Sequence, residues 1–317
     1  MPKDITHWII AEKVFEKLDN TEMIEIINKY KHLYYIGAIS FDIPYYCLGK
    51  KSNEFTGISD NLHNPIMCSP LGVISNMLQE YSNEVPEYVI AFILGTITHI
   101  VVDDAFHPLV YNYTGNYFDN DERRRDIAIS NHREFESRLD LYFKKTKKLD
   151  NSYLMIKSYF HRNISKNDLL ELLCVEYFNN KNIQKKGVYK TLSTYSILQF
   201  LFNKKIIYFT LKNINKVFKN RFSKVLTLFY PLENTIDYDF YINQIQYQHP
   251  ITGEVFSESI IDIEEKAISK TISLFNVLAK AKTKTELLEI LKDINIPSLK
   301  TGLGKYTSKN MKYFKID

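Results

Sequence analysis

Residues 95–110 read GTITHIVVDDAFHPLV, in which His99, Asp103 and His107 recur at intervals of four. On an α-helix each such step climbs about 6 Å and turns about 40° past a full revolution, so the three side chains follow one face. His99 and His107 are then separated by about 12 Å of rise, too far for one ion with bonds of about 2.1 Å to bind both comfortably. The spacing therefore indicates at least two metal ions, with Asp103 between them.

The surroundings of these residues distinguish a metal site from a polar stripe on a surface helix. Most other residues from Ile90 to Phe106 are apolar, which predicts a helix buried on all sides. A buried carboxylate needs a partner, and no Lys or Arg lies between Ile90 and Tyr113. Either metal ions or ion pairs from other segments must accompany Asp103, and we favour metal ions.

The composition favours an all-α fold. The chain has 317 residues, 45% of them apolar, with only ten glycines and nine prolines. So few turn-forming residues argue against a sandwich or barrel. The net charge of +4 is too small to indicate a nucleic-acid partner, and it does not exclude one.

The cysteines and the amino terminus predict a cytoplasmic protein. Cys47, Cys68 and Cys174 are odd in number and lack CxxC spacing, which is typical of a reducing compartment. Residues 1–4 lead directly into a helical pattern without the apolar core of a signal peptide. No window has about 18 uncharged apolar residues, so no transmembrane segment is expected.

Apolar periodicity predicts helices along most of the chain, at residues 5–18, 23–30, within 33–46, and at 71–81, 86–106, 121–143, 150–160 and 188–230. Capping patterns predict further helix starts at Ser165, Ser259 and Thr283. The turn-forming residues of 50–70 predict a long irregular connection, and HPITGE at 249–254 predicts a turn.

A basic run, KKTKK at residues 144–148, predicts a boundary between two regions. The first, 1–145, would be a metal-binding helical core, and the second, 146–317, a helical region packed on it. The same run is equally typical of a solvated helix end.

Other metal-ligand types lie in the first half of the chain. His132 and Glu136 are one turn apart and can chelate one ion from a shared helix face. Asp42 lies in the apolar run GAISFDIPYY, His63 in the polar segment DNLHNP, and His7 on the first helix. Singly, each has an ordinary structural explanation, such as an ion pair, a loop residue or a turn cap. Together, their order is hard to explain as coincidence.

That order resembles the zinc-dependent phospholipase C family, which shares an all-helical fold and a trinuclear zinc site with fungal single-strand-specific nucleases. The similarity covers roughly residues 2–143. It implies a multi-helix, phospholipase C-like zinc hydrolase core. The implied ligands are His63, His99, Asp103 and Asp42 for one zinc; His107, His132 and Glu136 for a second; and His7 with Asp103 for a third.

The chain departs from the family pattern in two places. The step from Asp103 to His107 is shorter than in the secreted phospholipases, so the second zinc would be displaced or differently shaped. The family completes its third site with an amino-terminal Trp, whereas this chain begins Met1-Pro2. Removal of Met1 would expose the Pro2 amine five residues before His7, and we predict that it becomes a ligand. Two or three zinc ions are therefore expected.

The resemblance implies a zinc-dependent phosphodiester hydrolase. Asp42 would orient or deprotonate the attacking water, unless it serves only as a ligand. The substrate would be a phosphodiester, with a phospholipid headgroup ester among the candidates. Five aromatic residues are predicted to line the mouth of the site, although core packing would account for at least half of them: Phe41, Tyr45, Tyr46, Phe106 and Tyr111.

Two alternatives remain open. A single-strand nuclease would need base-stacking aromatic residues around the zinc site and steep salt dependence. A metal-stabilised protein without catalysis would have ions fully coordinated by protein. Nothing after Lys148 resembles the membrane-docking β-sandwich of the secreted phospholipases, since this region is helical and lysine-rich.

Overall fold

The computed structural model describes residues 3–63, 70–146, 156, 166–179, 184–218, 223–231, 236–294, 299, 301, 303, 306 and 308–315. These residues are mainly helical, which confirms the predicted all-α class. Within the described part of the chain the strands are confined to one antiparallel hairpin.

The first half contains seven labelled α-helices: α1 Asp4–Lys17, α2 Thr21–Lys29, α3 Lys31–Gly37, α4 Ser52–His63, α5 Pro70–Gln79, α6 Glu87–Thr114 and α7 Glu122–Thr146. A short 3₁₀ turn, Ile43–Tyr46, follows α3.

The second half continues with α8 Lys166–Phe178, α9 Lys185–Phe202, α10 Lys205–Val217, α11 Ser223–Leu226 and α12 Tyr238–Ile242. The hairpin β1 Ile245–Gln248 and β2 Val255–Glu258 comes next, followed by α13 Ile260–Leu278, α14 Lys284–Asp293 and a 3₁₀ turn at Ser308–Asn310. The predicted turn at 249–254 joins the two strands. The predicted helix at 150–160 lies outside the described residues, except for Ile156.

Helix α6 is the central element of the fold. Helices α1, α2, α3, α7 and α13 all pack against it. It is long and apolar enough to cross a membrane, but 83% of its apolar window is buried inside the protein. Its neighbours therefore give it the environment of a core helix.

Two glycines let α3 and α6 approach backbone to backbone. A Cβ added at Gly95 would lie 2.0 Å from the Tyr34 carbonyl oxygen, and one added at Gly37 would lie 2.2 Å from the Phe92 carbonyl oxygen. Any larger side chain at either position would push the helices apart. This contact holds the segment that follows Gly37 against the ligand-bearing part of α6.

The predicted irregular connection at 50–70 is wrong for residues 52–63, which form α4. The sequence of this helix is polar and contains a glycine, so its intrinsic helix propensity is low. Its buried residues, Phe55, Ser59, Leu62 and His63, nevertheless recur at helical intervals. Packing of this face stabilises a helix that composition disfavours.

Helix α6 also ends later than predicted, at Thr114 rather than near residue 106, and Pro108 lies inside it. The C-cap is Gly115, whose φ of 94° is in the region that favours glycine. The extra two turns place Tyr111 and Thr114 beside the second group of ligand-type side chains.

The region after residue 146 packs on the first half. Helix α13 contacts α1 and α6, and α9 contacts the 3₁₀ turn at 43–46. Buried apolar residues from both halves belong to one hydrophobic cluster. The proposed boundary at residue 145 stays a prediction. The capping box of Ser259 with Asp262 is confirmed, as is the Thr283 cap.

Candidate metal centre

Two helices and one turn bring ligand-type side chains to the middle of α6, which contributes two more. His7 comes from α1, Asp42 from the turn after α3, and His63 from the end of α4. His99 and Asp103 come from α6 itself. All five side chains are buried. The structure thus brings together residues that are up to 96 positions apart in the sequence.

Asp103 lies at the centre of this group. Its Oδ1 is 3.3 Å from His7 Nε2, and its Oδ2 is 3.5 Å from both His63 Nε2 and His99 Nε2. Asp42 Oδ1 is 3.3 Å from His63 Nε2. Neither oxygen of Asp103 accepts a hydrogen bond of good geometry from any described residue. The carboxylate is therefore surrounded by imidazoles without being neutralised by a conventional hydrogen-bond network.

The imidazoles of this group present lone pairs to its centre. His63 Nδ1 lies 2.7 Å from the Ser59 carbonyl oxygen, and His99 Nδ1 lies 3.0 Å from the Ala38 carbonyl oxygen. Because a carbonyl only accepts, each Nδ1 must carry the proton, which leaves Nε2 of the neutral ring as an acceptor. The two Nε2 atoms are only 3.3 Å apart. Two lone pairs at this distance repel each other, and a cation between or beside them would relieve the repulsion.

A second group begins one turn beyond Asp103 on α6. His107, together with His132 and Glu136 of α7, offers ligand atoms within 4.8 Å of one another. His132 Nε2 is 2.8 Å from Glu136 Oε1. The side chains of all three residues are buried. The helical interval of four therefore places His132 and Glu136 side by side, and their chelation of one ion stays a prediction.

The second group shows the same orientation of its rings. His107 Nδ1 contacts the Leu299 carbonyl oxygen. His132 Nδ1 lies 3.4 Å from Thr114 Oγ1, whose own proton is donated to the Val110 carbonyl oxygen at 2.8 Å. Both rings thus carry the proton on Nδ1 and direct Nε2 inward. Hydrogen bonds of this kind orient histidines that bind metal ions.

Burial favours the neutral imidazoles of His99 and His107. Burial lowers the pKa of His99 to about 4 and that of His107 to about 3. Burial opposes ionisation of Asp103, but the imidazoles of His107, His99 and His7 hold its pKa well below the usual range. Burial raises the pKa of Asp42 to about 6. Neutral imidazoles and a carboxylate are the protonation states in which these groups bind metal.

Three sets of residues in the described chain could each hold a metal ion. They are His7, His99 and Asp103; Asp42, His63 and His99; and His107, His132 and Glu136. The sets contain every sequence-predicted ligand that the structure describes. Pro2, whose amine is the remaining predicted ligand, lies outside the described residues.

The five aromatic residues predicted to line the mouth divide into two classes. Phe41 and Phe106 are fully buried, Phe41 against the rings of His63 and His99, and Phe106 against Phe143. They pack in the interior and do not line a mouth, because each ring is enclosed by apolar and imidazole neighbours.

The three tyrosines lie nearer to the ligand groups or to the surface. Tyr111 contacts His107 and His132, and half-buried Tyr45 stacks on His63. Tyr46 stacks on Tyr195 at a centroid distance of 3.8 Å, beside the turn that follows Asp42.

Some neighbours of the site carry no signal in the sequence. Tyr45 donates a hydrogen bond to Asp60 at 2.8 Å, and Tyr117 packs edge-on against His132. Glu176 of α8 bonds Ser40 and Thr96 behind the close contact of α3 with α6. Asp60 was part of the segment predicted to be irregular. Only a helical reading of 52–63 would have placed it one turn before His63.

Two cavities among the described residues lie apart from the ligand groups. One, of about 370 Å³, lies between α2, α6 and α14, and the other, of about 230 Å³, lies beside the β-hairpin. Neither is lined by a residue of the three sets. The donor atoms of the three sets therefore define the candidate site, and neither cavity is part of it.

The fold and the site define a helical protein with a buried cluster of histidines and carboxylates that could hold metal ions. A family model described as zinc-dependent phospholipase C matches residues 6–183. The chain therefore belongs to the zinc-dependent phospholipase C family. The match continues past residue 145 and includes α8, so it is longer than the similarity recognised in the sequence. No curated protein and no solved structure matches the chain significantly.

Proposed function

We propose that this protein is a zinc-dependent hydrolase of phosphodiesters, with a phospholipid-type substrate. The observation that carries the proposal is the convergence of three ligand sets on two adjoining turns of α6, with His99 common to two of them. Membership of the zinc-dependent phospholipase C family supports the same reaction class.

The donor atoms fit zinc. Imidazole nitrogen and carboxylate oxygen are ordinary zinc ligands. Bound cations would lie between the facing Nε2 atoms of His63 and His99 and beside the Asp103 oxygens, which lack hydrogen-bond partners among the described residues. We assign Asp42, His63, His99 and Asp103 to the first ion, His107, His132 and Glu136 to the second, and His7 with Asp103 to a third.

The residues of the chain have separate tasks in this proposal. Bound zinc would supply the positive charge that polarises a phosphoryl oxygen and acidifies water. Asp103 keeps the ligands on either side of it at a fixed spacing, because α6 is rigid and buried. Asp42, held by the close contact between α3 and α6, is positioned to orient the attacking water or to accept its proton. Tyr45 and Tyr117 cover the imidazoles on the outer side.

A panel of phosphodiesters tests the proposal. The panel contains phosphatidylcholine in detergent, bis(p-nitrophenyl) phosphate and a single-stranded oligonucleotide. We expect hydrolysis of a choline or other headgroup ester that stops on chelation and returns with zinc. Asp103→Asn and Asp42→Asn should abolish it, since each removes a carboxylate from the ligand groups.

Asp104→Asn is the matched control. Asp104 is the next residue on α6, but it pairs with Lys270 outside the three ligand sets. It should therefore retain activity. Hydrolysis of the oligonucleotide alone would favour the nuclease alternative. Full zinc binding without hydrolysis of any member of the panel would favour a structural role for the metal.

A further inference from the structure

Helix α10, Lys205–Val217, leaves four of its apolar side chains in solvent. Ile206 is 81% exposed and Val217 is 78% exposed, and Phe209 and Ile214 are also exposed. Among the side chains of this helix, Asn215 is the buried one. The helix contacts α9 and α11 but contributes none of its apolar residues to the hydrophobic core. An apolar helix face in solvent indicates a surface that meets a partner.

The charged residues of α10 lie along one edge of that face. At about 100° per residue, Ile206, Ile214 and Val217 fall within about 80° of one another, with only Thr210 between them. Lys205, Lys212 and Lys216 fall within about 40° of one another on the adjoining side. This pattern of a narrow apolar face flanked by lysines is typical of helices that lie in a membrane interface.

The positive charge extends beyond the helix. Between Glu176 and Glu233 the sequence contains eleven lysine and arginine residues and no aspartate or glutamate. The whole chain has a net charge of only +4, so the remainder is net negative. None of the lysines at 204, 205, 212 and 216 forms an ion pair with a carboxylate among the described residues. Their charge is therefore available to anionic groups outside the chain.

The same segment is connected to the candidate metal centre. Helix α9 packs on the 3₁₀ turn that directly follows Asp42, where Tyr195 stacks on Tyr46. After α11, the Leu228 carbonyl oxygen accepts a hydrogen bond of 2.7 Å from Lys3, which precedes the helix that carries His7. A surface held by α10 would thus be linked to two elements that supply ligands.

From these observations we infer that α10 docks the protein on a bilayer that contains anionic lipid. The exposed aliphatic side chains enter the interface and the adjoining lysines contact lipid phosphates. Nucleic acid fits less well, because isoleucine and valine do not stack on bases. A second copy fits less well too, because it would bring two rows of lysine together. The inference rests on the proposed function for the identity of the substrate, but not for the binding itself.

Vesicle flotation of the zinc-loaded full chain tests the inference. Vesicles of phosphatidylcholine with about 30% phosphatidylglycerol are compared with vesicles of phosphatidylcholine alone. We expect binding to the anionic vesicles that weakens with salt. The double variant Ile206→Ser with Val217→Ser should weaken it by at least about tenfold, because two apolar side chains no longer enter the interface.

Two controls match these changes. Val255→Ser with Ile261→Ser alters exposed aliphatic side chains of the β-hairpin region and should bind as the unchanged protein does. Lys205→Glu with Lys212→Glu should lose the preference for anionic vesicles. Lys292→Glu with Lys309→Glu makes the same change of net charge elsewhere and should keep it.

The inference would be overturned if the unchanged protein did not float with the anionic vesicles, or if the hairpin control lost as much vesicle binding as the serine variant. It would also be overturned if a single-stranded oligonucleotide displaced the protein fully from vesicles and the serine variant still bound that oligonucleotide. Dimerisation abolished by the serine variant would overturn it too, by assigning the face to a second copy. Failure of the proposed function is distinguishable from failure of this inference, because the unchanged protein would then not hydrolyse soluble bis(p-nitrophenyl) phosphate. The serine variant should leave that hydrolysis unchanged.

Discussion

In helix α6 ionisable side chains are buried, whereas in helix α10 apolar side chains are exposed. His99, Asp103 and His107 have almost no contact with solvent, while Ile206 and Val217 have little contact with protein. Each arrangement costs free energy in an isolated chain. The comparison teaches that each helix has a face whose chemistry suits a partner outside the polypeptide. We propose cations for α6 and infer a charged lipid surface for α10.

The largest expected effect separates the two helices by activity on a soluble substrate. Asp103→Asn should lower hydrolysis of bis(p-nitrophenyl) phosphate by more than about 100-fold, the upper end for changes of residues that merely support a metal ligand. Ile206→Ser should leave this rate unchanged, because the side chain lies outside the ligand groups. Steady-state kinetics of both variants provides the measurement. Comparable losses in the two variants would contradict the division of roles.

Removal of metal should destabilise the protein through α6. The buried histidines and carboxylates would then face one another without cations. At a free zinc concentration about 1,000 times the dissociation constant, binding stabilises the folded state by about 4 kcal/mol per site. Thermal unfolding with and without a chelator measures this difference. An unchanged melting temperature after verified zinc removal would count against metal ions in the core.

A methyl group at Gly95 should disturb the contact that brings Asp42 to α6. Its Cβ would lie 2.0 Å from a backbone oxygen, so Gly95→Ala should destabilise the protein by roughly 3 kcal/mol. Gly57→Ala is the control, because no atom lies within 4 Å of the added Cβ in α4. Where the added Cβ has open space, replacing a helical glycine by alanine raises the free energy of unfolding by up to about 1 kcal/mol. Denaturant unfolding of both variants measures the two changes. Equal free energies of unfolding for Gly95→Ala and the unchanged protein would contradict the role of the close contact.

Glu176 is a buried carboxyl group outside the three ligand sets, and it should be tolerated only when neutral. Burial raises its pKa to about 8, above the ordinary value of 4.5. Its neutral form therefore stabilises the fold fully below pH 4.5, and that contribution is lost as the pH rises through about 8. Glu176→Gln removes this dependence, so its stability relative to the unchanged protein should rise by about 2 kcal/mol from pH 6 to pH 8. The same difference in free energy of unfolding between the variant and the unchanged protein at pH 6 and pH 8 would refute the assignment.

The smallest expected effect concerns the fold around α10. Ile206→Ser and Val217→Ser should each change the free energy of unfolding by less than about 0.5 kcal/mol, as is usual for exposed positions. Urea unfolding measures it. A destabilisation of several kcal/mol would show that these side chains support the fold, and the contrast with α6 would lose its basis.

The ligand-bearing part of α6 was predictable because its information is local. Three residues of metal-ligand type at intervals of four, within an apolar run, specify both a buried helix and the spacing of its side chains. The pair His132 and Glu136 is predictable for the same reason. The helix around His63 was not predictable, because its residues favour turns. Its stability comes from the burial of Phe55 and Leu62 against other elements.

What the sequence could not supply was the arrangement between segments. The approach of Gly37 to Gly95 depends on two helices far apart in the chain, and either glycine alone has many explanations. The same holds for the carbonyl oxygens of Ala38 and Leu299, which orient His99 and His107. Backbone partners leave no trace in residue type, so the orientation of the rings became visible only in three dimensions.

Zinc titration of the metal-free protein tests the central claim most directly. Hydrolysis of a phosphodiester is followed as zinc is added to the chelated and dialysed chain. We predict no activity without metal and full activity at two or three equivalents of zinc, the number of ions that we propose for the three ligand sets. Activity that is unaffected by zinc, or two or three bound ions without hydrolysis, would contradict it.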